Sequence, residues 1–201
     1  MNVPQPLKQA LTSLAERLSG CAEPWLVGGS SGLLLQGVAL SAVPRDLDVY
    51  TDEPALSVHS LLAPLALDNP EYSRTDKYSS TLSHYLLCGV TLELVAGFQV
   101  DVAEASYRVR IREQMEAHAP EITMEGRTLR LMPLAHELLF NLLRDRSDRY
   151  VSIADRMRTA LPDHLPAVKA LLRGNRFGRV WRERIAALLG VSLTELNGGA
   201  E

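Results

Sequence analysis

The chain has 201 residues, 46% hydrophobic and 22% charged, so it can bury one sizeable core or two small ones and belongs among globular proteins. Its 21 basic and 24 acidic side chains leave a formal charge of -3, which excludes a surface that coats nucleic acid or an anionic membrane as a whole and leaves room for a local basic patch. Cys21 and Cys88 lie far apart and outside any C-x-x-C pair, which excludes a disulfide framework and points to reduced thiols in a cytoplasmic protein.

In chain order, the N-terminal stretch reads first as an amphipathic helix. Leu7, Leu11, Leu14 and Leu18 recur at helical spacing, and Gly20 sits where a left-handed cap belongs. Lys8, Glu16 and Arg17 within that pattern rule out a signal peptide or a membrane span, and nothing further along is long enough to span. The apolar run Trp25 to Val27 predicts a short strand, followed by a glycine turn and a helix over "SSGLLLQGVAL" opened by a serine cap. "DLDVYT" predicts the next strand, with Asp46 and Asp48 on one face and Leu47 and Val49 on the other. "PALSVHSLLAPLAL" predicts a helix with Pro54 in its first turn. Glu71 to Val102, rich in β-branched and aromatic residues and broken near Asp76 and Gly89, predicts two or three strands. The last of them, "VTLELV", alternates Glu93 with Leu92 and Leu94. "EITMEGRTLRLMP" predicts a hairpin turning at Glu125 and Gly126. Everything after Pro133 places apolar residues three or four apart and predicts helices. The expected fold is α+β: a small mixed sheet within residues 1–132 and a helical region over residues 133–201, with no repeats or low-complexity tracts.

Gly28, Ser30 and Gly32 satisfy the G-x-S-x-G pattern of a serine nucleophile elbow. Such an elbow sits on a central strand of a parallel sheet with several strands upstream, and here one strand precedes Ser30. A glycine turn closed by a helix needs no function of its own, but glycines and a hydroxyl at a helix start also suit a polyphosphate. The next strand strengthens the phosphate reading, because Asp46 and Asp48 side by side offer what a hard cation such as Mg²⁺ needs between a protein and a triphosphate. Two such carboxylates can share one or two ions about 3.5–4 Å apart. Glu93 is placed to complete the cluster, with Asp101 in "FQVDV" as its rival. His59, His84, His118, His136 and His164 show no ligand spacing with the cysteines, so no zinc site is expected. Arg45, beside the carboxylates, reads as a local counter-charge or a phosphate contact.

The order "GGS", helix, "DLDVY" and a later strand carrying "LELV" resembles the signature of the polymerase-β-type nucleotidyltransferase superfamily: glycine-glycine-serine, aspartate-hydrophobic-aspartate, then a third carboxylate. The chain looks most like the minimal nucleotidyltransferases, the branch with abortive-infection and toxin-antitoxin members and some antibiotic-modifying enzymes. "RTLRLMPLAHELLFNLLRDRSDRYVSIADRM" is similar to the same group, so the resemblance runs from Trp25 to about Met157. It implies a triphosphate held at Gly28, Gly29 and Ser30, and metal ligation and catalysis by Asp46, Asp48 and Glu93. With two Mg²⁺ ions and an NTP such as ATP, an acceptor hydroxyl would attack the α-phosphorus and release pyrophosphate. One departure is plain: many relatives carry a lysine in the helix after the proline, where this chain has His136 and Glu137. The alternative is a non-catalytic nucleotide-binding protein, or the partner half of a toxin-antitoxin pair, on the same fold.

The acceptor is open among three classes. Arg173, Arg176, Arg179 and Arg182, with Phe177 and Trp181 among them, form either a grip for an RNA or tRNA end or an ordinary solvated helix face. Asp52, Glu53 and Asp101 would suit a small cationic acceptor, and a protein hydroxyl is the third class.

Overall fold

The computed structural model describes residues 3–197. Helix α1 (Gln5–Arg17) precedes strand β1 (Trp25–Gly28), helix α2 (Gly29–Leu35) and strand β2 (Asp46–Thr51). Helix α3 (Leu56–Leu62) leads to the meander β3 (Glu71–Arg74), β4 (Tyr78–Leu87) and β5 (Val90–Val102), then to β6 (Ala105–Arg108). After the hairpin β7 (Glu121–Met124) and β8 (Arg127–Arg130) come α4 (Leu134–Leu143), α5 (Ser147–Arg158) and α6 (Leu161–Gly174). A two-residue strand β9 (Arg176–Phe177) and helices α7 (Arg179–Leu189) and α8 (Leu193–Asn197) follow.

The main sheet runs β1-β2-β5-β4-β3, with β6 beside β5 and β9 beside β6. Strand β2 lies parallel to β5 and the other pairs are antiparallel, so the sheet is mixed and the fold α+β, as expected. At 13 residues β5 is long enough to pair with β2 through Ala96 and with β6 from Gln99. Gly97, at φ 61°, stands at that changeover.

Alternation along β2 decides which layer each side chain enters. Leu47 and Val49 are fully buried on the face that packs α1, α3 and the β7–β8 hairpin, with Leu11, Leu62 and Leu131 in the same cluster. Tyr50 falls on the opposite face, in a cluster with Leu138 and Phe140 of α4, Ile153 of α5 and Leu171 of α6. Asp46 and Asp48 share Tyr50's parity, so both carboxylates face the C-terminal helices. Every residue of α4 is buried, including His136, Glu137 and Asn141, which makes it the central helix of that layer.

Several expectations need correction. Helix α2 is opened by Gly28 as its N-cap, not by a serine, and no side chain of its own caps it. It stops at Leu35 rather than running to Leu40, because Gly37 at φ 76° turns the chain away. Helix α3 begins at Leu56, after Pro54, with Ala55 at φ 54° as its N-cap. The Glu23 carboxylate takes the Ser57 N–H at 3.0 Å. Strand β5 continues seven residues beyond "VTLELV", and β6 and β9 lie in segments whose apolar pattern is too short to show strand period. The hairpin turns where expected, with Glu125 at φ 49° and Gly126 at φ 75° in the two left-handed positions of a tight turn.

Candidate active site

Register places four residues in one row across the sheet. Gly28 of β1 pairs with Asp48 of β2, Asp48 with Glu93 of β5, and Glu93 with His84 of β4. Paired residues point to the same face with strands about 4.8 Å apart, so Asp48 and Glu93 are lateral neighbours, and Gly28 continues the row without a side chain. Asp46, Asp48 and Glu93 all line a cleft of about 440 Å³ between the sheet and helices α4 and α5. The row continues into His84, whose Nε2 stands 3.7 Å from the Glu93 carboxylate while Nδ1 and the backbone N–H are both held by Asp68, at 2.5 and 2.7 Å.

Asp48 is the electrostatic centre of the cluster. Burial, then the charges of Asp46, Glu93 and Glu137, push its carboxyl up to about 7, against a smaller opposing effect of Arg149. Crowded carboxylates with little compensating charge are the condition that a divalent cation relieves, and an all-oxygen donor set suits a hard ion such as Mg²⁺. Among the described residues no three His, Cys, Asp or Glu side chains stand as a preassembled ligand shell, so the fit lies in the chemistry of the donors.

The glycine turn is built for close approach. Gly29 adopts φ 56°, and a Cβ there would lie 1.8 Å from Asp48 Oδ2. A Cβ on Gly28 would stand 2.7 Å from the Tyr50 ring and 2.9 Å from Glu137 Oε1. Glycines at 28 and 29 are therefore demanded by the protein itself, whatever a ligand needs. Ser31, buried behind the turn, donates to the Asp46 carbonyl at 2.7 Å and ties α2 to the start of β2.

Two side chains that the sequence did not place at the site reach this turn. Glu137 of α4, 1% exposed, accepts the Gly29 N–H at 2.8 Å. Burial holds its carboxyl up at about 7, against the opposing pull of the Gly29 N–H, Arg149, Asn141 and Arg144. The bond gives the Gly29 N–H a partner within the protein itself. Arg149 of α5 donates to Ser30 Oγ at 2.9 Å. Arg144 and Arg146 also line the cleft, and the Arg144 guanidinium lies 4.7 Å from the centre of the Phe140 ring. Phe98 packs edge-on against Phe140 at 5.0 Å, and Tyr78 lies 6.2 Å from Phe98, so one wall of the cleft is aromatic. The arginine-rich turn "RDRSDR" is the signal for these cations; for Glu137 a lone acid in an apolar helix is the only one.

Other candidates fall elsewhere. Asp101 lies eight residues beyond Glu93 on β5, about 26 Å along an extended strand, and takes a hydrogen bond from Gln99 at 2.5 Å. Asp52 accepts the N–H groups of Ile111 and Arg112 at 2.7 and 2.9 Å, and Glu53 accepts from Thr81 at 2.6 Å, so neither lines the cleft. Arg45 is exposed and takes no part in an ion pair among the described residues. Arg182 is spent on the carbonyls of Phe177 and Leu172 at 3.0 and 3.1 Å, Arg179 on Glu183 at 2.7 Å, and Phe177 is buried. The Trp181 N–H donates to the Ala103 carbonyl at 2.7 Å. Arg173 and Arg176 are exposed. His136 is buried, and its environment holds its pKa down at about 3.

No protein-family model matches the chain, and no curated protein matches it. Solved structures do. A candidate nucleotidyltransferase of Thermotoga maritima superposes with a TM-score of 0.63 over 81% of this chain and 96% of that one, at 20% identity. The antibiotic-resistance factor ANT(2'')-Ia superposes with a TM-score of 0.51 over 90% of this chain and 94% of its own, at 14% identity. The chain has the nucleotidyltransferase fold that these proteins share.

Proposed function

We propose that the chain is a Mg²⁺-dependent nucleotidyltransferase that moves a nucleoside monophosphate from an NTP to the hydroxyl of a small acceptor and releases pyrophosphate. The row Gly28, Asp48, Glu93 on a nucleotidyltransferase fold carries the reading. Asp46, Asp48 and Glu93 are the residues that would hold one or two ions; a bound ion of this kind neutralises phosphoryl charge and lowers the acceptor's pKa. The chain's own groups supply the rest. Ser30 holds phosphate and does not attack: its oxygen accepts from Arg149, and among the described residues its hydroxyl makes no hydrogen bond to a base. The wall of Tyr78, Phe98 and Phe140 packs a base or an apolar acceptor face. The acceptor oxygen bonds to the α-phosphorus, the α–β bridging oxygen leaves with pyrophosphate, and the acceptor's proton passes to a cleft carboxylate or to water.

A small acceptor suits the site better than RNA. Of the C-terminal arginines that would grip an RNA backbone, Arg182 is committed to the main chain and Arg179 to Glu183. Among the described residues no helix is long and apolar enough to cross a membrane, and Cys21 and Cys88 are unpaired, which suits work in the cytoplasm.

A second reading, a non-catalytic nucleotide-binding or toxin-antitoxin partner protein, draws support from Glu137, which removes the Gly29 N–H from the donors open to a phosphate. The test is incubation with each α-³²P-labelled NTP, Mg²⁺ and a panel of aminoglycosides, tRNA and cell lysate, beside the Asp46→Asn/Asp48→Asn protein. Label moved only by the intact protein supports transfer. Triphosphate binding without transfer favours the second reading, and undiminished transfer by Asp48→Asn overturns the catalytic assignment.

A further inference from the structure

We infer that the opposite face of the sheet carries a second ligand site, one for a nucleoside phosphate, with Arg108, Arg110 and Arg176 as its phosphate grip and Tyr72 as the platform for its base. The site is separate from the catalytic cleft and does not depend on the transferase reading.

Alternation puts these side chains across the sheet from Asp48 and Glu93. Val100, Tyr107 and Phe177 are buried in the layer that holds α4, so their chain neighbours Gln99, Arg108 and Arg176 point away from it. Register sets Gln99 of β5 beside Arg108 of β6, and Ser106 of β6 beside Arg176 of β9. Together with Arg110 they line a cleft of about 300 Å³, and none of them lines the catalytic one. A second cleft, of about 290 Å³, shares Gln99, Arg108 and Arg110 with the first and extends to Tyr72 and Glu53. The two form one groove with a cationic end and an aromatic end.

The arginines are positioned without being neutralised. Arg108 donates through Nε and Nη2 to Gln99 Oε1 at 3.1 and 2.8 Å, an uncharged acceptor that fixes the guanidinium and leaves its charge intact. Gln99 in turn donates to Asp101 at 2.5 Å, so that carboxylate is engaged by an amide and not by an arginine. The Arg108 main-chain N–H goes to Asn175 Oδ1 at 2.9 Å, which ties β6 to the residue after α6. Among the described residues Arg108 and Arg176 form no ion pair, and Arg110 has one, with Glu113 at 3.4 Å. Guanidinium forks held in this way, with the Ser106 hydroxyl among them, offer the donors that a phosphate takes. The other end has different chemistry. Tyr72 is 59% exposed, and an open ring at a cleft is a stacking surface for a base. Glu53 accepts from Thr81 through Oε1 at 2.6 Å, and its second oxygen is left to accept from a sugar hydroxyl or an exocyclic amine. A bare anion or an acidic peptide uses only the cationic end, whereas a nucleotide uses both.

The experiment is calorimetric titration of the full chain, without divalent cations, with inorganic pyrophosphate, ATP and a short single-stranded RNA in turn. The Arg108→Gln/Arg176→Gln protein is expected to bind ATP or RNA about 10- to 100-fold more weakly, with an unchanged melting temperature. Tyr72→Ala should weaken the same ligand and leave pyrophosphate binding as it was. The Asp46→Asn/Asp48→Asn protein should keep the arginine-dependent binding, which separates this groove from the catalytic cleft. ATP held more tightly than RNA supports a free nucleotide as the occupant, and RNA held more tightly supports a nucleotide within a strand. Equal affinity of the natural and Arg108→Gln/Arg176→Gln proteins for every probe, or no binding of any probe, overturns the inference. A loss in the arginine variant with none in Tyr72→Ala overturns the assignment to a nucleotide. Since the readout is binding without Mg²⁺, failure of the transferase reading leaves each of these outcomes unaffected.

Discussion

The Glu137 carboxylate accepts the Gly29 N–H at 2.8 Å across 108 positions of sequence, and it does so from a helix with no exposed residue. The contact joins the C-terminal helical layer to the turn at the head of the cleft. Stability and function are therefore coupled at this point.

The first consequence is a pH dependence opposite to the usual one for acids. In the folded chain Glu137 and Asp48 titrate at about 7, well above their ordinary values of 4.5 and 3.8, chiefly through burial. The folded state keeps protons that the unfolded state has released, so this contribution is full below about pH 4 and lost as pH rises toward 7. Carboxyls held low, at Glu23, Asp68 and Asp148, act in the opposite sense and lower down, as pH falls through the acid range. Without divalent cations, the melting temperature should be higher at pH 5 than at pH 8, and Glu137→Gln should flatten the difference. A wild-type protein that melts higher at pH 8 contradicts the assignment.

Gly29→Ala should remove activity and destabilise the fold together. It adds a Cβ 1.8 Å from Asp48 Oδ2 at a left-handed position, whereas the same change at Gly126, φ 75° with nothing within 4 Å, adds only backbone strain. The Gly126 variant should lose about 1 kcal/mol and the Gly29 variant clearly more, read from urea titrations. Equal losses would show that the contact with Asp48 is relieved by a simple side-chain rotation.

Asp48→Asn should be inactive and more stable than the natural chain at pH 8. The substitution removes the charge that Asp46, Glu93 and Glu137 oppose, and such gains at the expense of activity are common in functional clusters. A lower melting temperature for the inactive variant would mean that the carboxylate makes structural bonds that an amide cannot replace.

Tyr107 and His136 form a buried pair, with Tyr107 Oη 2.7 Å from His136 Nδ1 and Nε2 left without a partner. His136→Leu alone should cost about 1–3 kcal/mol, because it orphans the Tyr107 hydroxyl. Adding Tyr107→Phe should recover much of that loss, and strict additivity in the double-mutant cycle would refute the coupling.

Arg182→Met should lower the melting temperature and leave RNA retention unchanged, since its N–H groups serve the carbonyls of Phe177 and Leu172 and the Asn197 side chain. Filter binding with tRNA at low salt checks the second half; a marked loss of RNA binding would restore the basic tail as an acceptor site.

Local periodicity made much of this architecture legible. The alternation of Asp46, Leu47, Asp48 and Val49 announced both the strand and its polar face, and Glu93 between Leu92 and Leu94 announced the neighbour that register then set beside Asp48. Gly29 and the Glu125–Gly126 turn were equally visible, because left-handed backbone leaves a direct mark on composition. Strands β6 and β9 were not, since two- to four-residue pairings exist only where β5 and α6 deliver a partner edge.

By itself, then, the sequence determined the order of the longer helices and strands, the face each carboxylate takes and the glycine turn at Gly28 and Gly29. Tertiary structure alone decided that Glu137 caps Gly29, that Arg149 reaches Ser30 from 119 positions away, and that Arg182 is consumed by the main chain. The physical reason is range. Side-chain period reports which way a residue points within its own element, whereas the partner of a buried charge depends on which distant element is packed against it.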